Sequence, residues 1–579
     1  MLSPRRVVTA LVVLLVVTAV GYPAWQAWRV KHDLEQAEAS VTRLEAALDE
    51  RDAEARDRAI SDLRSAAASA DERTGTFWWS AMTKVPWLGD DAAGVRSLSE
   101  SLDLLAVSGT TPLADTIDDL DRVSADGRID LSVLDRLADT AAEAHTAFAE
   151  ASGLVDDVDS SGFAGPLRVR FDDYVERVGR AAGNLASAKT ATEVLPEMVG
   201  ADGPRDYLLV FQNNAEIRAT GGMPGSWALV HAEDGALTIA QQGTAGDFPM
   251  TQAPVLPLSD GERDVYGVEY GLYFQDFGFA PDFPRAAELA DAWWDRSFPA
   301  IDLDGVMALD PVTMSYLLEG TGPIQVGALT LTADNVVEEL LNKPYLELDP
   351  VAQDELFRDA ARAIFDAATA DLASPVDFVE GLDRAAGEGR LLVASFDAGV
   401  ADALAGSRVT GALEGDDGRI PHVDIGLNDA TGSKMSYYLR YWADVESTSC
   451  KAGTQALSGS MTLRQAISPA EAALLPPSVT GGGQYGTDPG SQLVQVRIYG
   501  PWGGTIEAIR IDGKARDDID SVDVGGRPVV TLSMTPTSRD EALINWTMRT
   551  GPGQSGDVEL GVTPGILPGD DDGTAASAC

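Results

Sequence analysis

The sequence predicts a multidomain α+β protein with an N-terminal transmembrane helix and helical stalk, a central α/β domain and a C-terminal antiparallel β-sandwich. Three observations support this prediction. Residues 7–28 carry no charged side chain. Strand-like and helix-like runs interleave between residues 201 and 405, as is typical of α/β domains. From 406 to 565, short alternating strands follow one another at regular turn signals, as is typical of a β-sandwich.

The apolar segment 7–28 is long enough to cross a bilayer, since about 20 apolar residues span the hydrocarbon core. Trp25 and Trp28 stand where aromatic side chains anchor a helix at the membrane surface. A short N-terminus, residues 1–6, which we expect to be cytoplasmic, followed by a large acidic body is the arrangement of an uncleaved signal anchor. We therefore expect a single-pass cell-membrane protein with most of its chain extracytoplasmic. The alternative is a signal peptide cleaved near residues 19–21.

Residues 29–200 are predicted to form a helical stalk. The stretch 31–73 is rich in Ala, Glu, Asp and Arg and is predicted to be one long helix. Leu34, Val41, Leu44 and Leu48 follow heptad-like spacing, which indicates either self-association through residues 31–60 or a solvated stalk. Further amphipathic helices are expected from residue 90 to residue 200.

The charge balance excludes one class of partner. The chain has 43 Lys and Arg against 91 Asp and Glu, a formal net charge of −48. Such a surface repels nucleic acid, so no nucleic-acid partner is expected. Two cysteines, Cys450 and Cys579, cannot form a disulfide framework; pairing between them is left open, and unpaired thiols are the favoured expectation. The tail 566–579 is predicted to be disordered.

The stretch 206–227 organises the central domain. Its first part, residues 207–211, is a continuous apolar run, which predicts a strand buried on both faces. Polar groups and two glycines follow directly, and they form either a hydrogen-bonded structural turn or an edge that binds an anion or a sugar. These candidate ligand-binding residues are Asn213, Asn214, Glu216, Arg218, Thr220, Gly221 and Gly222.

Residues 213–222 resemble the signature of the bacterial family called domain of unknown function 4012. Further matches downstream extend the resemblance over roughly residues 75–565, and the family implies no activity. We interpret the downstream positions as structural: a glycine-led strand entry, a helix start with proline in its first turn, and a lysine paired with the central domain. They are Asp304, Gly305, Asp310, Asn335, Asn428 and Lys434.

The layout of the chain is also similar to that of the LytR-CpsA-Psr transferases, which attach polymers to peptidoglycan from polyprenyl-pyrophosphate carriers. That resemblance implies a phosphate contact by Arg218, with Asp282 and Arg285 nearby, and a magnesium ion held by Asp247 and Asp276. In that family an Asp follows shortly after the arginine. This chain departs from that pattern, because residues 220–222 are Thr, Gly and Gly. The alternative is that Arg218 forms a buried structural ion pair with an acid such as Glu216.

Established catalytic motifs are absent from the sequence: it has no phosphate-binding glycine loop, no nucleotide fingerprint and no paired metal-binding histidines. Two hypotheses remain. In the first, the protein acts in cell-envelope or surface-polysaccharide assembly and binds a lipid-linked pyrophosphate glycan. In the second, it is a non-catalytic envelope scaffold that recruits other envelope proteins. An open cleft at Arg218 favours the first hypothesis, and an enclosed, paired Arg218 favours the second.

Overall fold

The computed structural model describes residues 4–49, 52–86, 88–110, 112, 120, 122–125, 127–370, 372–483, 485–539, 541–569 and 572–579, apart from the side chains of 4–21, 23, 49, 124 and 125. The chain divides into two compact units. One comprises residues 1–123 and 131–195, and the other comprises residues 124–130 and 196–579. The predicted boundary at 200/201 stands close to this division.

The first unit is helical. Its helices are α1 (Pro4–Asp49), α2 (Ala53–Thr74), α3 (Phe77–Met82), α4 (Gly89–Leu104), α5 (Leu131–Asp156) and α6 (Gly165–Met198), with a π-helical turn at Leu105–Gly109. Small and aliphatic side chains, such as Ala66 and Ala67, line the contacts between these helices. The predicted helical character of this part of the chain therefore agrees with the structure.

The prediction of one long helix over residues 31–73 is wrong, because α1 ends at Asp49 and α2 begins at Ala53. Asp52 caps α2 by accepting a hydrogen bond from the Ala55 backbone N–H. The two helices run antiparallel, as ion pairs show between Arg43 and Asp62 and between Arg73 and Asp33. Part of the heptad-like face therefore packs within the chain, and self-association through 31–60 stays a prediction.

Among the described residues, no helix has the length and apolarity needed to cross a membrane. Most of the side chains in the predicted membrane segment 7–28 lie outside the described part of the chain. The segment therefore stays a prediction from the sequence, and so does the cytoplasmic placement of residues 1–6.

The second unit begins with a seven-stranded sheet in the order β1-β2-β5-β4-β3-β6-β9. Only the β3–β6 pair in it is parallel, so the predicted α/β domain is a mixed sheet dominated by antiparallel pairs. The strands are β1 (Ser124–Ala125), β2 (Arg128–Ile129), β3 (Arg205–Arg218), β4 (Gly221–Glu233), β5 (Ala236–Thr244), β6 (Gly305–Leu309) and β9 (Leu392–Ser395). A separate hairpin is formed by β7 (Ile324–Val326) and β8 (Leu329–Leu331).

Helices flank this sheet. They are α7 (Asp260–Tyr266), α8 (Phe283–Ser297), α9 (Pro311–Thr321), α10 (Val336–Leu341), α11 (Lys343–Glu347), α12 (Pro350–Thr369), α13 (Pro375–Gly387) and α14 (Ala398–Leu404). Leu208 and Val210 of β3 pack with Trp293 and Trp294 of α8, while Leu209 packs in a separate cluster on the other face. The predicted burial of β3 on both faces is therefore confirmed.

The C-terminal strands form two sheets, in the orders β16-β17-β13-β10-β19-β20 and β11-β12-β18-β14-β15. The strands are β10 (His422–Asp429), β11 (Leu439–Lys451), β12 (Thr454–Gln465), β13 (Val494–Tyr499), β14 (Thr505–Ile511), β15 (Lys514–Ala515), β16 (Val522–Val524), β17 (Arg527–Met534), β18 (Ala542–Arg549), β19 (Val558–Val562) and β20 (Gly573–Ala575). Two short helices, α15 (Pro469–Ala472) and α16 (Pro477–Thr480), precede β13.

Side chains from both sheets share one apolar core, so the arrangement is a β-sandwich. The alternating residues Val494, Val496 and Ile498 point into this core, as their spacing predicts. The sandwich is not entirely antiparallel, because β10 pairs with β19 in parallel. Ile217, near the end of β3, also lies in this core, so the central strand enters both halves of the second unit.

The prediction of a disordered tail over 566–579 is wrong for its described residues. Gly573–Ala575 pairs with β19 as strand β20. Cys579 forms a disulfide with Cys450, against the expectation that the two thiols stay unpaired. Small residues and a nearby run of acids suggested disorder, but the pairing depends on a long-range contact that sequence composition does not reveal.

Candidate functional site

The polar motif after the buried part of β3 forms a bulge. Asn213 pairs with Met223 of β4, and the next pair joins Ile217 to Gly222, so residues 214–216 have no partner on β4. Gly222 is required there, because a Cβ would lie 2.3 Å from the Asn213 carbonyl carbon. Gly221 has φ +123°, a conformation that L side chains rarely adopt. Both glycines therefore serve the turn.

Arg218 is enclosed by protein. Its side chain is 8% exposed, and its Nη2 lies 3.6 Å from a carboxylate oxygen of Asp276. Its Nη1 donates to the Ile217 carbonyl at 3.0 Å and to the Asp429 carbonyl at 3.4 Å. The ring centre of Phe279 lies 5.1 Å from the guanidinium carbon. Arg218, Asp276 and Phe279 form what we call the Arg218 corner, and its contacts are those of the predicted structural ion pair, with Asp276 as the acid rather than Glu216.

The Asp276 carboxylate is already paired with the Arg218 guanidinium, so it is a poor metal ligand in this setting. Burial raises the pKa of its carboxyl group to about 6, although the positive charge of Arg218 partly opposes that shift. Asp247, the other predicted magnesium ligand, accepts a hydrogen bond from the Thr244 backbone N–H at 2.8 Å. Among the described residues, no group of three or more His, Cys, Asp and Glu side chains could hold a metal ion. The residues present do not fit a magnesium site.

Glu216 pairs with Lys434 rather than with Arg218. The Lys434 ammonium lies 2.6 Å from a Glu216 carboxylate oxygen, which bears out the predicted bond from Lys434 to the central domain. The same ammonium lies 4.5 Å from the ring centre of Tyr345. The Tyr345 hydroxyl accepts a hydrogen bond from the Asn213 amide at 2.8 Å.

These polar groups line a cavity of about 220 Å³, which we call the Lys434 cavity. Its walls come from β3, β4 and β5 on one side and from α9 to α12 on the other. They include Phe211, Met314, Leu340 and Phe357. The lining is mainly apolar and includes four charged residues, Glu216, Lys434, Asp354 and Arg358, a composition that suits an amphipathic guest.

Asn214 belongs to a different buried network. Its amide donates to an Asp310 carboxylate oxygen at 2.8 Å. Arg390, which is 0% exposed, bonds the same Asp310 oxygen at 2.9 Å and a Glu388 oxygen at 2.7 Å. Burial alone would raise the pKa of Glu388, but hydrogen bonds from Tyr316 and Arg390 hold it below its ordinary value. Arg390 also donates to the carbonyls of Gly565 and Leu567, so the network fastens the chain that follows β19.

The remaining candidate ligand-binding residues each have partners inside the protein. The Thr220 hydroxyl accepts a hydrogen bond from Gln212. The Asp282 carboxylate accepts hydrogen bonds from backbone N–H groups, which lower its pKa. Burial has the larger effect and raises that pKa to about 6. Arg285 bonds Glu262 at 2.8 Å and Glu288 at 2.6 Å. These residues hold neighbouring elements together and present no arrangement that resembles a phosphate clamp.

The downstream motif residues have structural contacts. Asp304 accepts a hydrogen bond from the Asp206 backbone N–H, and a Cβ on Gly305 would lie 2.5 Å from the Ala394 carbonyl oxygen. Asp310 caps α9 through the Thr313 N–H, with Pro311 in the first turn as predicted. The Asn335 side chain closes the turn before α10. Asn428 bonds the Ala219 N–H and the Phe279 carbonyl.

Sequence reasoning missed Arg390, Tyr345 and Arg497. Arg390 follows a short glycine-containing turn, and Tyr345 lies in a helix of five residues, so neither has a motif around it. Arg497 stands on β13 between the core residues Val496 and Ile498, on the face of the strand where the alternation predicts a polar, exposed side chain. No signal in the sequence therefore indicates that Arg497 is buried.

The fold is that of a mixed α+β protein. Its central strand, β3, ends in the polar bulge, and this end of the strand contacts the β-sandwich. Residues 202–345 match the family model described as "Protein of unknown function (DUF4012)", which confirms the resemblance drawn from residues 213–222 over that span. A search of curated proteins and a search of solved structures find no match. Similarity to the LytR-CpsA-Psr transferases stays a prediction from the sequence.

Proposed function

We propose that this chain is a membrane-anchored, extracytoplasmic cell-envelope protein that acts as a non-catalytic binding scaffold. The uncharged segment 7–28 would supply the anchor. The Cys450–Cys579 disulfide supports a place outside the cytoplasm, because disulfides persist in oxidising compartments and are rare in the cytosol. Other envelope proteins would be its partners.

The enclosure of Arg218 carries this proposal. A phosphate clamp needs a guanidinium whose N–H groups can reach a guest, and bidentate phosphate binding uses two of them side by side. Arg218 instead directs Nη1 at two backbone carbonyls and Nη2 at Asp276. The residue that would bind pyrophosphate in a transferase is thus used to hold the fold together.

The test compares wild type with Arg218→Met and Arg218→Lys in the full-length protein, purified in detergent. Thermal unfolding and equilibrium binding are measured with a polyprenyl pyrophosphate, with and without magnesium. We expect both variants to unfold at lower temperature, and we expect affinity for the lipid to be independent of Arg218 and of magnesium. A folded Arg218→Met variant that loses magnesium-dependent lipid binding would overturn the scaffold proposal.

A second candidate function is the binding of a lipid-linked glycan, and the Lys434 cavity favours it. The apolar walls suit a hydrocarbon chain, and the Lys434–Glu216 pair suits the polar group that ends such a chain. A volume of about 220 Å³ lies below the range of about 300–1,000 Å³ that is typical of pockets for drug-sized ligands. The cavity would therefore hold only a short stretch of chain beside its polar group.

Filling the cavity tests this second function. Ala361 lines the wall on α12, so Ala361→Phe places a ring inside the space. Val351 on the same helix is 68% exposed, and Val351→Phe adds the same ring outside. We expect Ala361→Phe to weaken binding of a polyprenyl phosphate about tenfold or more, while Val351→Phe leaves it unchanged. Equal binding by both variants, or none by wild type, would exclude the cavity as the lipid site.

A further inference from the structure

Four aromatic side chains form one exposed patch at the end of the predicted membrane segment. The ring centre of Tyr22 lies 5.8 Å from that of Trp25 and 6.0 Å from that of Trp78, and the ring centres of Phe77 and Trp78 are 5.9 Å apart. Tyr22 is 40% exposed, Trp25 47%, Phe77 78% and Trp78 46%. We call these four residues the aromatic patch. Large apolar side chains that are exposed together indicate a surface that contacts something else.

The fold of the first unit brings the two halves of the patch together. α1 continues beyond the predicted membrane segment, and α2 runs back beside it. Arg73, near the end of α2, bonds Asp33 of α1 at 2.6 Å. The chain has therefore returned almost to the end of the membrane segment when α3 begins. Thr76 caps α3 there, since its hydroxyl oxygen accepts a hydrogen bond from the Trp79 backbone N–H.

Trp79 holds α3 in this position. It is 4% exposed, it packs with Val30 of α1 and Ala92 of α4, and its indole N–H donates to the Ala92 carbonyl at 2.8 Å. Successive residues of a helix point about 100° apart, so the burial of Trp79 turns Trp78 to another side of α3. On that side Trp78 meets Tyr22. The exposure of Trp78 therefore follows from the way in which α3 packs.

Both segments that form the patch lack acids. Residues 1–32 and residues 73–89 contain no Asp or Glu, although the whole chain carries −48. After residue 6, their charged side chains are Arg29, Lys31, Arg73 and Lys84, all of them basic. The Arg29 guanidinium carbon lies 5.5 Å from the ring centre of Trp25. The acidic charge that would repel phosphate headgroups from much of this protein is therefore missing at the patch.

We propose that the aromatic patch contacts the lipid bilayer at the level of its headgroups, so that α3 gives the first unit a second membrane contact beside the anchor. Trp and Tyr are enriched at that level, because their rings combine an apolar body with a polar group. Tyr22 and Trp25 belong to the uncharged segment 7–28 itself, so whatever surrounds the end of that segment also reaches Phe77 and Trp78. That continuity favours lipid over a protein partner.

The inference rests on the proposed anchor and adds a consequence to it. A single membrane-spanning helix leaves the attached unit free to turn about the helix axis. A second contact on one side of α1 would fix that rotation, since interfacial aromatic side chains help to set the tilt and rotation of a membrane helix.

Photo-crosslinking of the full-length protein in lipid nanodiscs tests the inference. Phe77→p-benzoylphenylalanine places a photoreactive ring at the most exposed position of the patch. Val107→p-benzoylphenylalanine is the matched control, because Val107 is 56% exposed in the same unit. Its neighbour Ala106 packs with Ala37, which lies about 22 Å beyond Tyr22 along α1. We expect at least about ten times more lipid adduct at position 77 than at 107, since a headgroup layer is only about 5–8 Å thick.

Leu14→p-benzoylphenylalanine distinguishes the inference from the anchor on which it rests, because position 14 lies inside the segment 7–28. A lipid adduct at 14 with none at 77, or equal adducts at 77 and 107, would overturn the inference and leave the anchor in place. Adducts at neither 14 nor 77 would overturn both. A cross-link from position 77 to a second copy of the chain, in place of lipid, would make the patch a protein interface and would also overturn the inference.

Discussion

The Lys434 ammonium lies 2.6 Å from a carboxylate oxygen of Glu216, although 218 residues separate the two in the chain. The side chains are 19% and 9% exposed, so water screens the pair only weakly. The bond joins the bulge of β3 to the loop that follows β10. It therefore connects the central sheet to the sandwich at the edge of the Lys434 cavity.

Breaking this pair should destabilise the fold. We expect Lys434→Met and Glu216→Gln each to lower the free energy of unfolding by about 2–4 kcal/mol, because each leaves a buried charge unpaired. The double variant should lose less than the sum of the two. Denaturant unfolding of all four proteins measures the coupling. The Lys343–Glu339 pair has the same 2.6 Å separation but a more exposed lysine, and its coupling should be about 0.5 kcal/mol.

Removing the disulfide should also be costly. Cys450 and Cys579 are 129 residues apart, and a cross-link that closes so long a loop is worth about 5 kcal/mol in the chain-entropy account. We expect Cys579→Ser to lower the unfolding temperature by as much as a reducing agent lowers that of wild type. The reducing agent should then have no further effect on the variant. A melting temperature unchanged by either treatment would contradict the prediction.

Arg390 should hold the chain after β19 in place. Arg390→Met leaves the Asp310 and Glu388 carboxylates buried without their cation, which we expect to cost about 3–5 kcal/mol. Backbone amides around Gly569 should exchange hydrogen faster in the variant. Arg384 also bonds Glu388 but is 47% exposed, so Arg384→Met should cost no more than about 1 kcal/mol. Equal losses from the two substitutions would show that burial is not the cause.

Asp276 should make stability depend on pH. Burial raises its folded pKa to about 6 from 3.8, so the folded protein holds a proton that the unfolded chain releases. Its contribution is therefore complete below pH 3.8 and is lost as the pH rises through 6, a loss of about 3 kcal/mol. The free energy of unfolding of Asp276→Asn should therefore rise relative to that of wild type by about that amount as the pH increases from 4 to 8.

Chemical denaturation at a series of pH values measures this difference. Asp518→Asn serves as a control of opposite sign, since a hydrogen bond from Arg516 lowers the pKa of Asp518 to about 2. The Asp518 substitution should lose stability relative to wild type as the pH rises from about 2 to about 3.8, and that difference should stay constant from pH 4 to pH 8. A difference between wild type and Asp276→Asn that stays constant from pH 4 to pH 8 would show that the Asp276 carboxyl is already ionised at low pH.

Local chemistry was readable from the sequence wherever one residue or one short pattern decides the structure. The alternation of Val494, Val496 and Ile498 predicts which side chains enter the sandwich core, and the structure agrees. Asp310 before Pro311 predicts a helix start, because a carboxylate caps a helix whose first turn tolerates proline. Lys434 is one of few lysines in an acidic chain, so its pairing with an acid of the central domain was predictable.

Long-range pairing was not readable. Asp276 becomes the partner of Arg218 only because the chain brings a segment 58 residues further on against the end of β3. The break between α1 and α2 is stabilised by the antiparallel packing of the two helices. Heptad-like spacing alone does not reveal that packing. The Lys434 cavity and the burial of Arg497 likewise depend on contacts between segments far apart in the chain.

The reach of Arg390 across the second unit limits how the protein can be dissected. A fragment ending near residue 405 would retain Arg390 with Asp310 and Glu388, but it would lack the carbonyls of Gly565 and Leu567 that complete the shell of the guanidinium. It would also leave Ile217 without the sandwich core around it. Recombinant pieces cut at that point should be insoluble or partly folded, whereas a piece spanning 196–579 keeps every one of these contacts.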